Sequence, residues 1–104
     1  MRILVAEPLA SEGVELLRSQ HAVDERIGLA PDELRAIIGE YDALVVRSQV
    51  QVDAELIAAG TRLVVIGRAG VGVDNVDLDA ATRAGVTVVN APTGNTIAAA
   101  EHTL

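Results

Sequence analysis

Leu63-Val64-Val65-Ile66-Gly67-Arg68-Ala69-Gly70-Val71-Gly72-Val73-Asp74-Asn75 is the stretch that decides the fold. Branched apolar residues from Leu63 to Ile66 run into glycines at 67, 70 and 72 with a lone arginine at 68. This pattern predicts a buried strand that empties into a permissive, cationic turn. In an open parallel sheet the strands are packed on both faces, so a ligand gathers where strands end and loops begin. Glycines there let backbone N–H groups approach the ligand, and an anion is the expected guest.

Outward from that stretch the same alternation recurs. Ile3 to Ala6 is a short apolar strand ended by Glu7-Pro8, and Leu9 to Arg18 carries Leu9, Gly13, Leu16 and Leu17 at helical spacing. Ala22 to Ile27 is mixed and polar, as an edge strand is. Pro31-Asp32-Glu33 starts a helix with Leu34, Ile37 and Ile38 inward and Gly39 as its stop. Ala43 to Val46 is the third strand and empties into Arg47-Ser48. Asp53 caps a helix that ends at Gly60, and Asp77 caps Leu78 to Ala84, with Gly85 beyond. Val86 to Val89 is a fifth strand, followed by the turn-rich Asn90-Ala91-Pro92-Thr93-Gly94-Asn95. Strands alternating with helices in this way predict an α/β, flavodoxin-like doubly wound parallel sheet of five strands in the order 2-1-3-4-5. Thr96 to Leu104 reads as the opening of a further helix without a terminator.

Composition bounds the function. With 104 residues the chain is one small domain, too short to carry a nucleotide domain and a substrate domain together. A net charge of -7 and a single aromatic residue, Tyr41, argue against nucleic-acid and membrane-surface partners. Cysteine is absent, so no disulfide, thiolate metal site or thiol nucleophile is available. No apolar run approaches the roughly 20 residues of a membrane span, and Glu7-Pro8 interrupts the only apolar stretch at the N-terminus. A cytoplasmic location is the expectation.

The glycines at 67, 70 and 72 follow G-x-x-G-x-G rather than the dinucleotide fingerprint G-x-G-x-x-G, and no helix opens directly behind them. Arg47 and Arg68 each stand at the end of a predicted neighbouring strand. Adjacent strands lie about 4.8 Å apart, so two guanidinium groups there could close on one phosphate or carboxylate beside Ser48, Gly70 and Asn95. The plain alternative for either arginine is a solvated charge or an ion pair with Glu7 or Asp42. His21 and His102 have no metal-spaced partners, and no Ser-His-Asp set is present. The residues therefore describe an anion-binding α/β domain with no complete catalytic set and no metal site.

Val46-Arg47-Ser48, the segment Gly67 to Asn75, Ala80-Ala81-Thr82, and Asn90 to Asn95 followed by Ala100-Glu101-His102-Thr103 resemble the amino-terminal segment of NAD-dependent D-2-hydroxyacid dehydrogenases. The resemblance covers nearly the whole chain in the correct order. It implies that 1–95 is most of a substrate-binding domain and that 96–104 begins a hinge helix toward an NAD-binding domain outside the chain. It implies further that Arg47, Ser48 and Arg68 hold the anionic group of a phosphorylated hydroxy acid. Gly70 and Val71 would offer backbone N–H groups, Val71 on the cofactor side, and Asn95 a side-chain hydrogen bond. In that family a hydride passes from C2 to NAD, assisted by a histidine-glutamate pair and an arginine. Those residues lie in the part of the family's proteins outside this chain, and His102 is not that histidine. The segment alone is expected to be inactive. The intact protein is expected to be a homo-oligomer oxidising D-3-phosphoglycerate in serine synthesis. Alternatives are another D-2-hydroxyacid dehydrogenase, acting on glyoxylate, hydroxypyruvate or D-lactate, and, in a different class, a receiver-like signalling domain. The latter would need acidic residues where Arg47 and Pro8 stand.

Overall fold

The structure, a computed structural model, describes residues 1–8, 11–47, 49–69 and 75–91, with only the backbone path at 69, 90 and 91. Five strands, β1 (Arg2–Val5), β2 (Ala22–Glu25), β3 (Ala43–Val46), β4 (Val65–Ala69) and β5 (Thr87–Ala91), pair in parallel in the order β2-β1-β3-β4-β5. Between them run α1 (Ser11–Arg18), α2 (Pro31–Ile37), α3 (Ala54–Ala59) and α4 (Leu78–Ala84). The predicted doubly wound sheet and its strand order are those observed.

Side-chain alternation along the strands sorts the core into two layers. Leu4, Leu44, Val46 and Ile66 pack with Leu34 of α2, Leu56 and Ile57 of α3, and Ala80 and Ala81 of α4. Ile3, Val5, Ala43, Val45 and Val65 face the other way, against Leu17 of α1. Three helices thus cover one face and α1 covers part of the other. The sequence placed Leu16 inward, but Leu16 is 39% exposed while Gly13, Val14 and Leu17 are buried. The buried stripe of α1 is centred on Leu17 with Gly13 and Val14 on either side, and Leu16, one residue and so about 100° around the helix from Leu17, falls at its edge.

The caps fall where the residue types required them. Asp53 accepts from the Leu56 N–H at 2.9 Å and Asp77 from the Ala80 N–H at 3.0 Å. Gly85 closes α4 in the left-handed region, φ 75°, which a side chain disfavours. Gly39 is not a helix stop: it lies in a 3₁₀ turn, Ile38–Glu40, where a Cβ would come 3.2 Å from the Ala59 carbonyl oxygen. Close approach of α3 is therefore the reason for glycine at this position.

Two strands run further than the sequence suggested. β4 begins at Val65 and includes Gly67 and Arg68, while Val64 is 47% exposed. β5 extends through Asn90 and Ala91, which had the look of a turn. The cause is mutual: Gly67 and Arg68 pair with Val45 and Val46 on one side and with Val89 and Asn90 on the other. A strand laddered on both edges continues through glycine because its neighbours satisfy the backbone. The helix start expected at Thr96 lies outside the described residues.

At the opposite, N-terminal edge, Asp24 accepts from the Tyr41 hydroxyl at 2.7 Å and from Arg2 at 3.3 Å, and the Arg2 guanidinium lies 4.8 Å from the Tyr41 ring centroid. The Tyr41 hydroxyl, reinforced by Arg2, holds the Asp24 carboxyl below the usual carboxylate range. Burial, with Asp24 adding to it, pushes Tyr41 up. A depressed carboxylate stabilises the fold fully above its unfolded pKa and loses that contribution as pH falls through its folded value. Tyr41→Phe should therefore cost about 1 kcal/mol near neutral pH, a modest figure because Asp24 is half exposed. Urea denaturation at stepped pH should show this cost shrinking below about pH 4. A cost that does not change with pH would refute the assignment.

Candidate functional site at the C-terminal rim of the sheet

The ladder between β3 and β4 ends at the pair Val46 and Arg68, and the connection from β3 to α3 then leaves the sheet. Side chains hold its first part, before Val52 bridges to Val76. Glu7, two residues beyond β1, is only 6% exposed, and its carboxylate accepts three backbone N–H groups. Oε2 takes Arg47 at 2.5 Å and Val50 at 3.2 Å, and Oε1 takes Gln49 at 3.0 Å. A buried carboxylate is tolerated when such donors replace its water, so the connection folds around Glu7 as around a bound anion.

Asn75, 6% exposed, completes the hold from the other side. Its Nδ2 donates to the Arg47 carbonyl at 2.6 Å and the Val50 carbonyl at 2.8 Å, while Oδ1 accepts from Arg68 Nε at 2.5 Å. Only one orientation of the amide fits, since two acceptors face its nitrogen and a donor faces its oxygen. The Asn75 backbone carbonyl also accepts from the Val52 N–H at 2.7 Å, beside an isolated parallel bridge between Val52 and Val76. The connections after β3 and after β4 are thereby one hydrogen-bonded unit.

The two arginines occupy different surroundings. Arg68 is a strand residue, 4% exposed, whose Nε is committed to Asn75. Arg47 is exposed, and its Nη1 donates to the Pro8 carbonyl at 3.3 Å. Their guanidinium groups are anchored separately, Arg68 inside the rim and Arg47 on top of it. The ion pairs considered from sequence take another form: Glu7 binds the Arg47 backbone rather than its side chain, and Asp42 receives the Arg2 N–H and the Arg62 guanidinium. Ser48, Gly70, Val71 and Asn95 lie outside the described residues. Sequence reasoning missed Glu7 and Asn75 as site-building groups. The available signal was an acid placed directly after a wholly apolar strand.

A largely apolar cleft of about 460 Å³ opens at the same edge of the sheet, between Glu7, the Ile27–Leu29 loop, Leu34 and Val50. Neither Arg47 nor Arg68 lines it. Among the described residues no group of three or more His, Cys, Asp or Glu could hold a metal, and no helix is long and apolar enough to cross a membrane.

The family model described as D-isomer specific 2-hydroxyacid dehydrogenase, catalytic domain, matches residues 3–103. The chain belongs to the D-isomer specific 2-hydroxyacid dehydrogenases. Within this family, the D-3-phosphoglycerate dehydrogenase of Archaeoglobus fulgidus is 50% identical over all of the chain, and the chain spans 20% of its length. The chloroplastic D-3-phosphoglycerate dehydrogenase 2 of Arabidopsis thaliana is 57% identical over 97% of the chain, which spans 16% of it. The NAD+-bound 3-phosphoglycerate dehydrogenase of Entamoeba histolytica superposes with a TM-score of 0.78 at 31% identity, covering 86% of this chain and 32% of that one. The chain thus corresponds to about a fifth of the curated 2-hydroxyacid dehydrogenases it matches.

Glu7→Ala tests whether the carboxylate organises the rim. It should orphan the N–H groups of Arg47, Gln49 and Val50 and lower the stability by about 2–4 kcal/mol, read as a fall in the urea midpoint. A loss below about 0.5 kcal/mol, the size of an ordinary surface substitution, would show that the connection does not depend on Glu7.

Proposed function

We propose that this chain is the substrate-binding part of an NAD-dependent D-3-phosphoglycerate dehydrogenase, which oxidises D-3-phosphoglycerate to 3-phosphohydroxypyruvate. Residues 1–95 form the substrate-binding domain and 96–104 begin the link to the cofactor-binding domain. The intact protein works as a cytoplasmic homo-oligomer on a small phosphorylated hydroxy acid. The observation that carries this is Arg47: an exposed guanidinium at the C-terminal end of β3, on a backbone fixed at both its N–H and its carbonyl. A planar cation so held matches an incoming phosphate or carboxylate. Arg68, buried below, adds fixed positive charge to the same rim. Ser48, Gly70, Val71 and Asn95 are assigned the remaining substrate contacts, and Val71 a contact to the cofactor.

The described residues do not form a cradle for a dinucleotide. Gly67 is laddered on both sides within β4, so it cannot turn around a pyrophosphate as the first glycine of a fingerprint does. NAD is assigned mainly to the rest of the protein, with Val71 the one cofactor contact of this chain, and no catalytic residue is assigned here. The chain's own work is to bind and orient the substrate anion.

In the intact protein, Arg47→Ala should raise KM for D-3-phosphoglycerate about 10- to 100-fold, the value of a lost charge-assisted hydrogen bond or two, and Arg47→Lys should recover part of it. Steady-state kinetics on D-3-phosphoglycerate and D-lactate decide the matter. An unchanged KM in Arg47→Ala, or a preference of the unmodified protein for D-lactate, would contradict the proposal.

A further inference from the structure

We infer that Glu7 and Asn75 are positioning residues for substrate: they hold Arg47 in its binding pose by clamping the backbone on either side of its side chain. The inference rests on the assignment of Arg47 as the ligand of the substrate anion, and it extends that assignment to two residues that do not themselves touch substrate.

Arg47 is the first residue beyond the end of the β3–β4 ladder, where a chain ordinarily loses its backbone partners. Both of its peptide groups are nevertheless bound by buried side chains from two other elements. The N–H goes to Glu7 Oε2 and the carbonyl to Asn75 Nδ2. The same two side chains take the N–H and the carbonyl of Val50, and Glu7 also takes the Gln49 N–H. The described residues of the connection are thus fixed at both ends. Asn75 is fixed in turn by Arg68, a residue of the central part of the sheet. A flexible arginine rooted on a loose loop would have to be ordered at the moment of binding. One rooted on this clamp presents its guanidinium from a set position, and affinity rises through preorganisation. The carboxylate itself is occupied by three N–H donors, which spread its charge and keep it from competing for the Arg47 guanidinium.

Asn75→Asp separates the two halves of the clamp. An aspartate oxygen still accepts from Arg68 Nε, but the group that donated to the Arg47 and Val50 carbonyls becomes an acceptor and repels them. Glu7→Gln does the corresponding damage on the N–H side, because one carboxylate oxygen becomes an amide nitrogen facing N–H donors. In the full-length protein each variant should raise KM for D-3-phosphoglycerate about ten-fold, while kcat and KM for NAD stay within about two-fold. In an Arg47→Ala background neither should raise KM further, since the pose they maintain is gone. Unchanged KM in a folded variant, or a full additional effect on top of Arg47→Ala, overturns the inference. If one variant does not fold, the other decides. Failure of both to fold makes these residues determinants of folding instead and also overturns it. If Arg47→Ala alone leaves KM unaltered, the underlying assignment of Arg47 has failed, an outcome distinct from failure of the clamp.

Discussion

A carboxylate that is almost wholly buried and carries its own shell of backbone donors is the constraint on which the rim of this sheet depends. Glu7 sits where β1 runs out, and its neighbours Ala6 and Val5 are packed in the core. It stands at the wall of the apolar cleft with only 6% of its surface exposed, so chain donors rather than water must meet most of its oxygens. The burial of its charge is compensated only if the chain that leaves β3 turns its N–H groups inward, which it does at Arg47, Gln49 and Val50. The shape of the connection follows from this electrostatic requirement. The Arg47 side chain faces out because its backbone faces in.

Asn75 is the complement in hydrogen-bond polarity. Where Glu7 can only accept, Asn75 donates to the carbonyls that the turned chain leaves over and accepts from the arginine beneath. A buried arginine in β4, an amide in the connection after it and a carboxylate beyond β1 therefore form a graded series around the connection after β3, from cation to neutral dipole to anion. Such a network is costly if any member is unsatisfied. The consequence is that at the C-terminal edge of the sheet, where open α/β folds gather ligands, the connection after β3 is hydrogen-bonded through both its N–H and its carbonyl groups.

The fold was legible in the sequence because its signals were local and repeated. Ala43 to Val46 as a strand, Asp53 and Asp77 as caps and Gly85 as a left-handed terminator each follow from a residue type and its immediate neighbours. Arg47 as a rim residue was equally legible, since it follows a strand directly. What could not be seen is what depends on partners distant in sequence. Gly67 and Arg68 look like a loop until β3 and β5 ladder them from both sides. Gly39 looks like a helix stop until α3 comes against it. Glu7 and Asn75 reach across 40 and 28 residues to the same Arg47, and no periodicity encodes such a pairing. Leu16 was misplaced for a simpler reason: two leucines stand side by side in α1, and only the stripe through Leu17 reaches the sheet.

The most direct test of this account is hydrogen exchange at the amides of Arg47, Gln49 and Val50, measured residue by residue. If the buried carboxylate organises the connection, these three should be protected well beyond an open surface loop, despite the exposure of the Arg47 and Gln49 side chains. Exchange of all three at the rate of an unstructured loop would contradict it.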